Sequence, residues 1–305
     1  GGLYIGENPT PEHNTYLIIH LNFSEVAAGI DDYKKGLDGH CNIMFNHCCS
    51  IYQHLLPPNT KEEMNSKEGA VEQLAFLCQK ATEAKLKIYL FIDEYDNFTN
   101  MILANEEHLV RYRKQTHGES YLRRFFNTIK GAAGGAIGRV FVTGVSPVTM
   151  DDLTSGFNIG TNYSLTPQFN EMTGFNEEEV REMLGYYASV LPFNHTVDEL
   201  IQKIKPWYDN YCFAEKEYGK TTMYNSVMVL YFLDNYINNE YCFPKNMVES
   251  NIRVDYDKIR MLIRHDKSFS HDASIIQELL TKGYVTGSLN ENFPAERIND
   301  PDNFL

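Results

Sequence analysis

Several features are missing from the 305-residue sequence, and each absence removes a class of protein. No apolar run, of which Leu90-Phe91-Ile92 is representative, approaches the roughly 18 residues that a membrane span needs. The mean hydropathy is -0.39. Positive charge is in deficit, with Lys+Arg 27 against Asp+Glu 41 and a formal net charge of -14. General affinity for a polyanion is therefore not built into the surface, and nucleic acid is not an expected partner. No C-x-x-C pair occurs among the six cysteines at 41, 48, 49, 78, 212 and 242, so neither a zinc ribbon nor a dense disulfide framework is expected. Reduced thiols in a cytoplasmic compartment are. Cys41, His47, Cys48 and Cys49 crowd one segment, but adjacent residues of a helix point to different faces, which does not suit a closed metal site. A charged-then-apolar leader is also absent, and the chain opens Gly1-Gly2-Leu3 without Met, which reads like the middle of a longer protein.

What is present reads as a packed globular chain: 43% hydrophobic and 13% aromatic residues exclude disorder. Thr15 to Phe23 is β-branched and aromatic between turn formers, hence a strand. Asp31 and Asp32 open a helix that Pro57-Pro58-Asn59 stops, and a second helix spans about Ser66 to Ala84. Lys87 to Asp93 is an apolar run with little alternation, expected to be buried on both faces of a parallel sheet. A helix over Ser120 to Lys130 and a short strand over 139–143 follow. The alternation predicts an α/β fold with a parallel sheet, residues 1–170. Residues 171–305 read as a mostly helical second domain: an acidic start at Glu177-Glu178-Glu179, helices at 197–204, 226–235, 255–263 and 274–282, and a small hairpin from Trp207 to Phe213 and Lys220 to Tyr224.

The chemistry-bearing stretch is Ile88-Tyr89-Leu90-Phe91-Ile92-Asp93-Glu94-Tyr95-Asp96. A buried strand ending in Asp-Glu sets two carboxylates at the carboxyl edge of a parallel sheet, where such sheets bind ligands. A hard cation needs oxygen ligands, which Asp93 supplies, and an uncoordinated carboxylate beside it, Glu94, can accept a proton. An acidic turn before a helix explains the same residues equally well. The next strand ends in Thr143-Gly144-Val145-Ser146, placing hydroxyls on the same edge. Arg123 and Arg124 are candidates to reach a nucleotide. A phosphate-binding loop of the form G-x-x-x-x-G-K-[ST] has one near match, Ala214 to Thr221; it carries Ala at the first glycine and two glutamates where phosphate must approach, and is read as a hairpin turn.

Three stretches together carry a resemblance: Leu90 to Asp96, Phe141 to Ile159, and Phe169-Asn170-Glu171-Met172-Thr173-Gly174-Phe175, with Trp207 to Tyr211 and Tyr224-Asn225-Ser226 in support. They look like the AAA-ATPase-like family, often joined to a PD-(D/E)xK nuclease domain. The resemblance implies a P-loop-NTPase-like core that binds ATP and Mg²⁺, with Asp93 on the metal, Glu94 as base, and Thr143 or Ser146 contacting the γ-phosphate or lytic water. Members carry their phosphate-binding loop ahead of a stretch resembling Gly2 to Ile5, so the resemblance implies a central piece of a larger ATPase. As numbered, the chain is expected to hydrolyse ATP poorly or not at all. Loss of a central phosphate-loop strand is expected to leave two neighbouring strands unpaired. A non-catalytic interaction module on a degenerate ATPase fold, binding a protein partner or forming a homo-oligomer, is the rival reading. A metal-dependent nuclease using Asp93, Glu94 and Asp96 is a third.

Overall fold

A computed structural model describes residues 3–26, 32–97, 121–144, 160–249, 280–284 and 286. The chain divides into two compact units, one of Gly1–Gly160 with Met261–Leu305 and one of Thr161–Arg260. In the first, a short helix α1 (Tyr4–Glu7) precedes β1 (Tyr16–Asn22), α2 (Tyr33–Ile51), α3 (Thr60–Asn65), α4 (Gly69–Glu83), β2 (Lys87–Asp93), α5 (Tyr121–Ala132) and β3 (Ile137–Val142). The strands form one parallel sheet in the order β1-β2-β3. One expectation is met, the α/β parallel core; β2 pairs on both sides, and the free edges among the described residues belong to β1 and β3.

A second expectation is corrected on β2. Its residues Ile88, Leu90 and Ile92 are buried, whereas Tyr89, Phe91 and Asp93 are only half-buried. The cause is topological. Connections that run β1 to β2 to β3 step across the sheet in one direction, and right-handed crossovers then put every intervening helix on the same face. The core lies there, with Leu17, Ile19 and Leu21 of β1, Phe45 of α2, Leu74 of α4 and Phe125 and Phe126 of α5 all fully or nearly fully buried. The other face carries a layer of rings instead: Tyr89 stacks on Phe91, and Tyr16, His20 and Phe141 meet these two edge-on.

Local chemistry sets the helix ends in ways the linear pattern did not show. Asp32 occupies the N-cap position of α2 without a side-chain capping bond. α2 ends at Ile51, short of the expected stop at Pro57-Pro58, and the Thr60 hydroxyl at the start of α3 donates to the Pro57 carbonyl at 2.6 Å. α4 starts at Gly69, not Ser66, and its cap comes from another helix. Asp38 of α2 accepts the Ala70 amide on Oδ1 at 2.8 Å and Lys34 on Oδ2 at 2.9 Å, and the Tyr121 hydroxyl of α5 donates to Oδ1 as well. Gly69 has φ +73°, and a Cβ there would stand 2.6 Å from the Tyr121 oxygen. One carboxylate thus joins α2, α4 and α5. Asp38→Ala strands a helix N-terminal amide and a half-buried hydroxyl, each of which costs free energy when left unmatched. A loss of ~2–3 kcal/mol in urea denaturation is expected, and a loss below ~0.5 kcal/mol would show the cap to be idle.

The second unit holds α6 (Glu177–Val190), α7 (Val197–Tyr208), β4 (Asp209–Tyr211), β5 (Met223–Tyr224) and α8 (Ser226–Asn238). Both α6 and α7 open with reciprocal capping boxes, Asn176 with Glu179 and Thr196 with Glu199. α7 runs through Pro206, so Trp207 and Tyr208 end a helix and the hairpin strand begins at Asp209. β4 pairs antiparallel with β5, and Phe175 bridges to Tyr224 on the other side. The loop-like match at Ala214 to Thr221 lies in the connection between β4 and β5, with a 3-10 turn at Glu215–Glu217 and Gly219 at φ +76°. The predicted helices at 255–263 and, for the most part, 274–282 lie outside the described residues.

Candidate functional site

The site is built on the carboxyl edge of the sheet. Parallel pairing puts Asn22, the last residue of β1, beside Asp93, the last of β2. Beyond the end of β3 the Thr143 amide donates to the Ile92 carbonyl at 2.9 Å, so Thr143 continues the ladder next to Asp93. Alternation along the strands then sends Asn22, Asp93 and Thr143 to one face, the face with the ring layer. His20, Phe91, Asp93, Phe141 and Thr143 line a depression of about 380 Å³ there.

The loop after β2 is held from both neighbouring strand ends. The Tyr95 amide donates to the Thr143 carbonyl at 3.1 Å, and Asn97 Nδ2 donates to the Phe23 carbonyl, just past β1, at 2.9 Å. The Thr143 hydroxyl donates to Asp93 Oδ1 at 2.5 Å, and the Glu94 amide donates to the same oxygen at 3.0 Å. Glu94 has φ +52°, a left-handed conformation uncommon for a residue with a Cβ, kept here by the bonds on either side of it. Its carboxyl is shifted above the ordinary 4.5, first by burial and then by the nearby charges of Asp96 and Asp93. A carboxylate so placed is a stronger base than a free one.

Gly144 permits this arrangement. A Cβ on it would lie 2.5 Å from Asp96 Oδ1 and 2.5 Å from Tyr95 Cε1, and Asp96 is buried. Gly144→Ala is expected to push the loop off the strand end at a cost of about 1–3 kcal/mol, the usual range for overpacking. Protease resistance of the loop and the thermal midpoint both report it; an unchanged midpoint with unchanged protease cutting would contradict the close approach.

Sequence reasoning had Asp93, Glu94 and Thr143, and the structure brings these three together. Ser146 lies outside the described residues. Arg123 is half-buried and Arg124 exposed on the first turn of α5. His40 of α2, to which sequence reasoning gave no role, sits at the end of β1. Its Nε2 accepts the Asn22 amide at 3.2 Å, which fixes the proton on Nδ1, 3.7 Å from Glu25 Oε2. Burial lowers its pKa, so it stays neutral near pH 7 and supports the end of β1. Only its spacing within an amphipathic helix marked it, which does not separate a support from a core residue.

Among the described residues no group of three or more His, Cys, Asp or Glu could hold a metal ion. One carboxylate with an open oxygen does fit Mg²⁺, which keeps several waters and is bound through one or two carboxylates plus substrate phosphates.

Comparison with known proteins agrees with the geometry. No curated protein and no solved structure matches the chain. The model of the AAA-ATPase-like family, described as "Predicted AAA-ATPase", matches residues 1–154. That is just over half of the 305 residues and includes Asp93, Glu94, Thr143 and Ser146. The chain belongs to the AAA-ATPase-like family.

Proposed function

We propose that this chain supplies the acid-base and cation-binding edge of an ATPase that binds and hydrolyses ATP to drive a conformational change. The observation that carries the reading is the Asp93-Glu94 pair at the carboxyl edge, clamped to Thr143 of the next strand, with the Glu94 carboxyl shifted upward. Family membership implies nucleotide use and usually Mg²⁺. When bound, Mg²⁺ would supply charge neutralisation at the phosphates, with Asp93 as its protein ligand. Glu94, not engaged by the cation, takes the proton from the attacking water. The edge of β3 left free among the described residues supports the reading too, since a further parallel strand paired there would deliver its own carboxyl-end loop beside Thr143.

The test is thermal stabilisation of the protein by ATP with Mg²⁺. A shift of several degrees that Asp93→Asn abolishes is expected, because any ligand of the folded state raises its midpoint. An equal shift in Asp93→Asn would remove Asp93 from the site. The raised Glu94 pKa adds a pH dependence with a definite sign. The base works only when deprotonated, so turnover rises with pH through the Glu94 pKa, and the acid limb lies above the ordinary carboxylate value of 4.5. A limb at or below 4.5 would contradict that environment.

The interaction module keeps one observation in its favour. In the second unit Trp207, Tyr186 and Tyr218 are exposed, the last at 83%, and tyrosine and tryptophan are enriched at protein interfaces. No stabilisation by nucleotide would favour it.

A further inference from the structure

We propose that Thr143 is a positioning residue that decides which divalent cation Asp93 takes, favouring Mg²⁺ over Ca²⁺. The proposal rests on Asp93 being the cation ligand. Asp93 Oδ1 accepts two hydrogen bonds, from the Thr143 hydroxyl at 2.5 Å and the Glu94 amide at 3.0 Å. Neither donor is loose. Thr143 is fixed by its amide on the Ile92 carbonyl at 2.9 Å and by its carbonyl under the Tyr95 amide at 3.1 Å. Glu94 is held by its carbonyl, which accepts the Asn97 amide at 3.0 Å. Two donors on Oδ1 restrain the carboxylate against rotation. Among the described residues Oδ2 takes no hydrogen bond, so Asp93 presents one oxygen and not two.

Single-oxygen presentation discriminates between hard cations. Mg²⁺ takes short, near-octahedral bonds, retains waters and needs few protein oxygens. Ca²⁺ takes six to eight oxygens at longer distance and gains from carboxylates that bind through both oxygens. The Thr143 hydroxyl has one proton, and that proton is on Asp93; while it is, Thr143 cannot also donate to a γ-phosphate. Its role is thus exerted through Asp93.

The experiment measures free Mn²⁺ by electron paramagnetic resonance with the protein and ADP, and titrates Mg²⁺ or Ca²⁺ as competitor. In Thr143→Val the preference for Mg²⁺ over Ca²⁺ is expected to fall roughly tenfold, the scale of one charge-assisted hydrogen bond. Thr143→Ser, which keeps the hydroxyl, is expected to preserve the ratio within about twofold. A merely structural role would weaken all three ions together and leave the ratio alone, and that result overturns the proposal. So does a parental ratio in Thr143→Val. Should Thr143→Val not fold, Thr143→Ala carries the same expectation. Mn²⁺ binding undiminished in Asp93→Asn would overturn the cation-ligand reading itself, an outcome distinct from an unchanged Mg²⁺ to Ca²⁺ ratio with Asp93 still essential.

Discussion

Glu94→Gln is expected to lower the single-turnover rate of ATP hydrolysis by ~10²–10⁴-fold, the usual contribution of a positioned general base, while nucleotide affinity changes by only a few-fold. The substitution keeps size and hydrogen-bonding reach but removes the lone pair that accepts the proton. Binding is expected to survive because the Glu94 side chain makes no hydrogen bond to Asp93; the Glu94 backbone amide makes that bond and is retained in the variant. The backbone at φ +52° is equally open to Gln. The rate should also lose its acid limb, since the titrating group is gone. Two results would refute the assignment when measured on the full-length protein: an unchanged rate, or a rate and affinity that fall together. The second would mean that Glu94 acts in binding, and the base would have to be sought elsewhere on the same edge, with Asp96 the next carboxylate after it in sequence.

Much of the first unit was legible because the signals were local. Lys87 to Asp93 reads as a strand from its own composition, and its observed limits agree with that reading. The Asp-Glu ending and the hydroxyl of Thr143 follow from position alone, since strand ends of a parallel sheet converge on one edge. The second face of β2 was not legible. Tyr89 and Phe91 count as apolar in any pattern, and only the three-dimensional rule that same-direction crossovers share a face shows why they remain half-buried. Contacts between residues distant in sequence were equally hidden. Asp38 caps a helix that begins 31 positions later, at Gly69, and His40 takes the amide of Asn22 from a different element. Pro57-Pro58 carries a stop signal, yet α2 already ends at Ile51, and the Pro57 carbonyl instead accepts the Thr60 hydroxyl at the start of α3. In the second unit the acidic start of α6 at Glu177-Glu178-Glu179 was visible, whereas the helical continuation through Pro206 ran against the ordinary expectation that proline ends a helix.

Phe126→Ala is expected to cost about 3–5 kcal/mol, the largest stability loss of any substitution considered, because it empties a large ring site in a core that cannot collapse around it. Phe126 is 0% exposed and meets Phe23 and Phe125 edge-on at ring distances of 6.4 and 6.1 Å. Phe23 is itself fully buried, and its carbonyl accepts Asn97, the residue that ties the Asp93 loop to the end of β1. A cavity beside Phe23 therefore loosens the core and the site together. The thermal midpoint should fall by roughly 10 °C or more, given about 2–4 °C per kcal/mol for a domain of this size. Ile43→Ala, on the exposed side of α2 at 63% accessibility, is the matched control and should cost no more than ~0.5 kcal/mol. The connection to the site gives a second readout: any ATP-dependent stabilisation should shrink in Phe126→Ala at temperatures where the protein is still folded, and Ile43→Ala should leave it intact. A Phe126→Ala protein with a nearly parental midpoint would place Phe126 outside the core, and a lowered midpoint with undiminished nucleotide stabilisation would uncouple the Asn97 to Phe23 tie from the site.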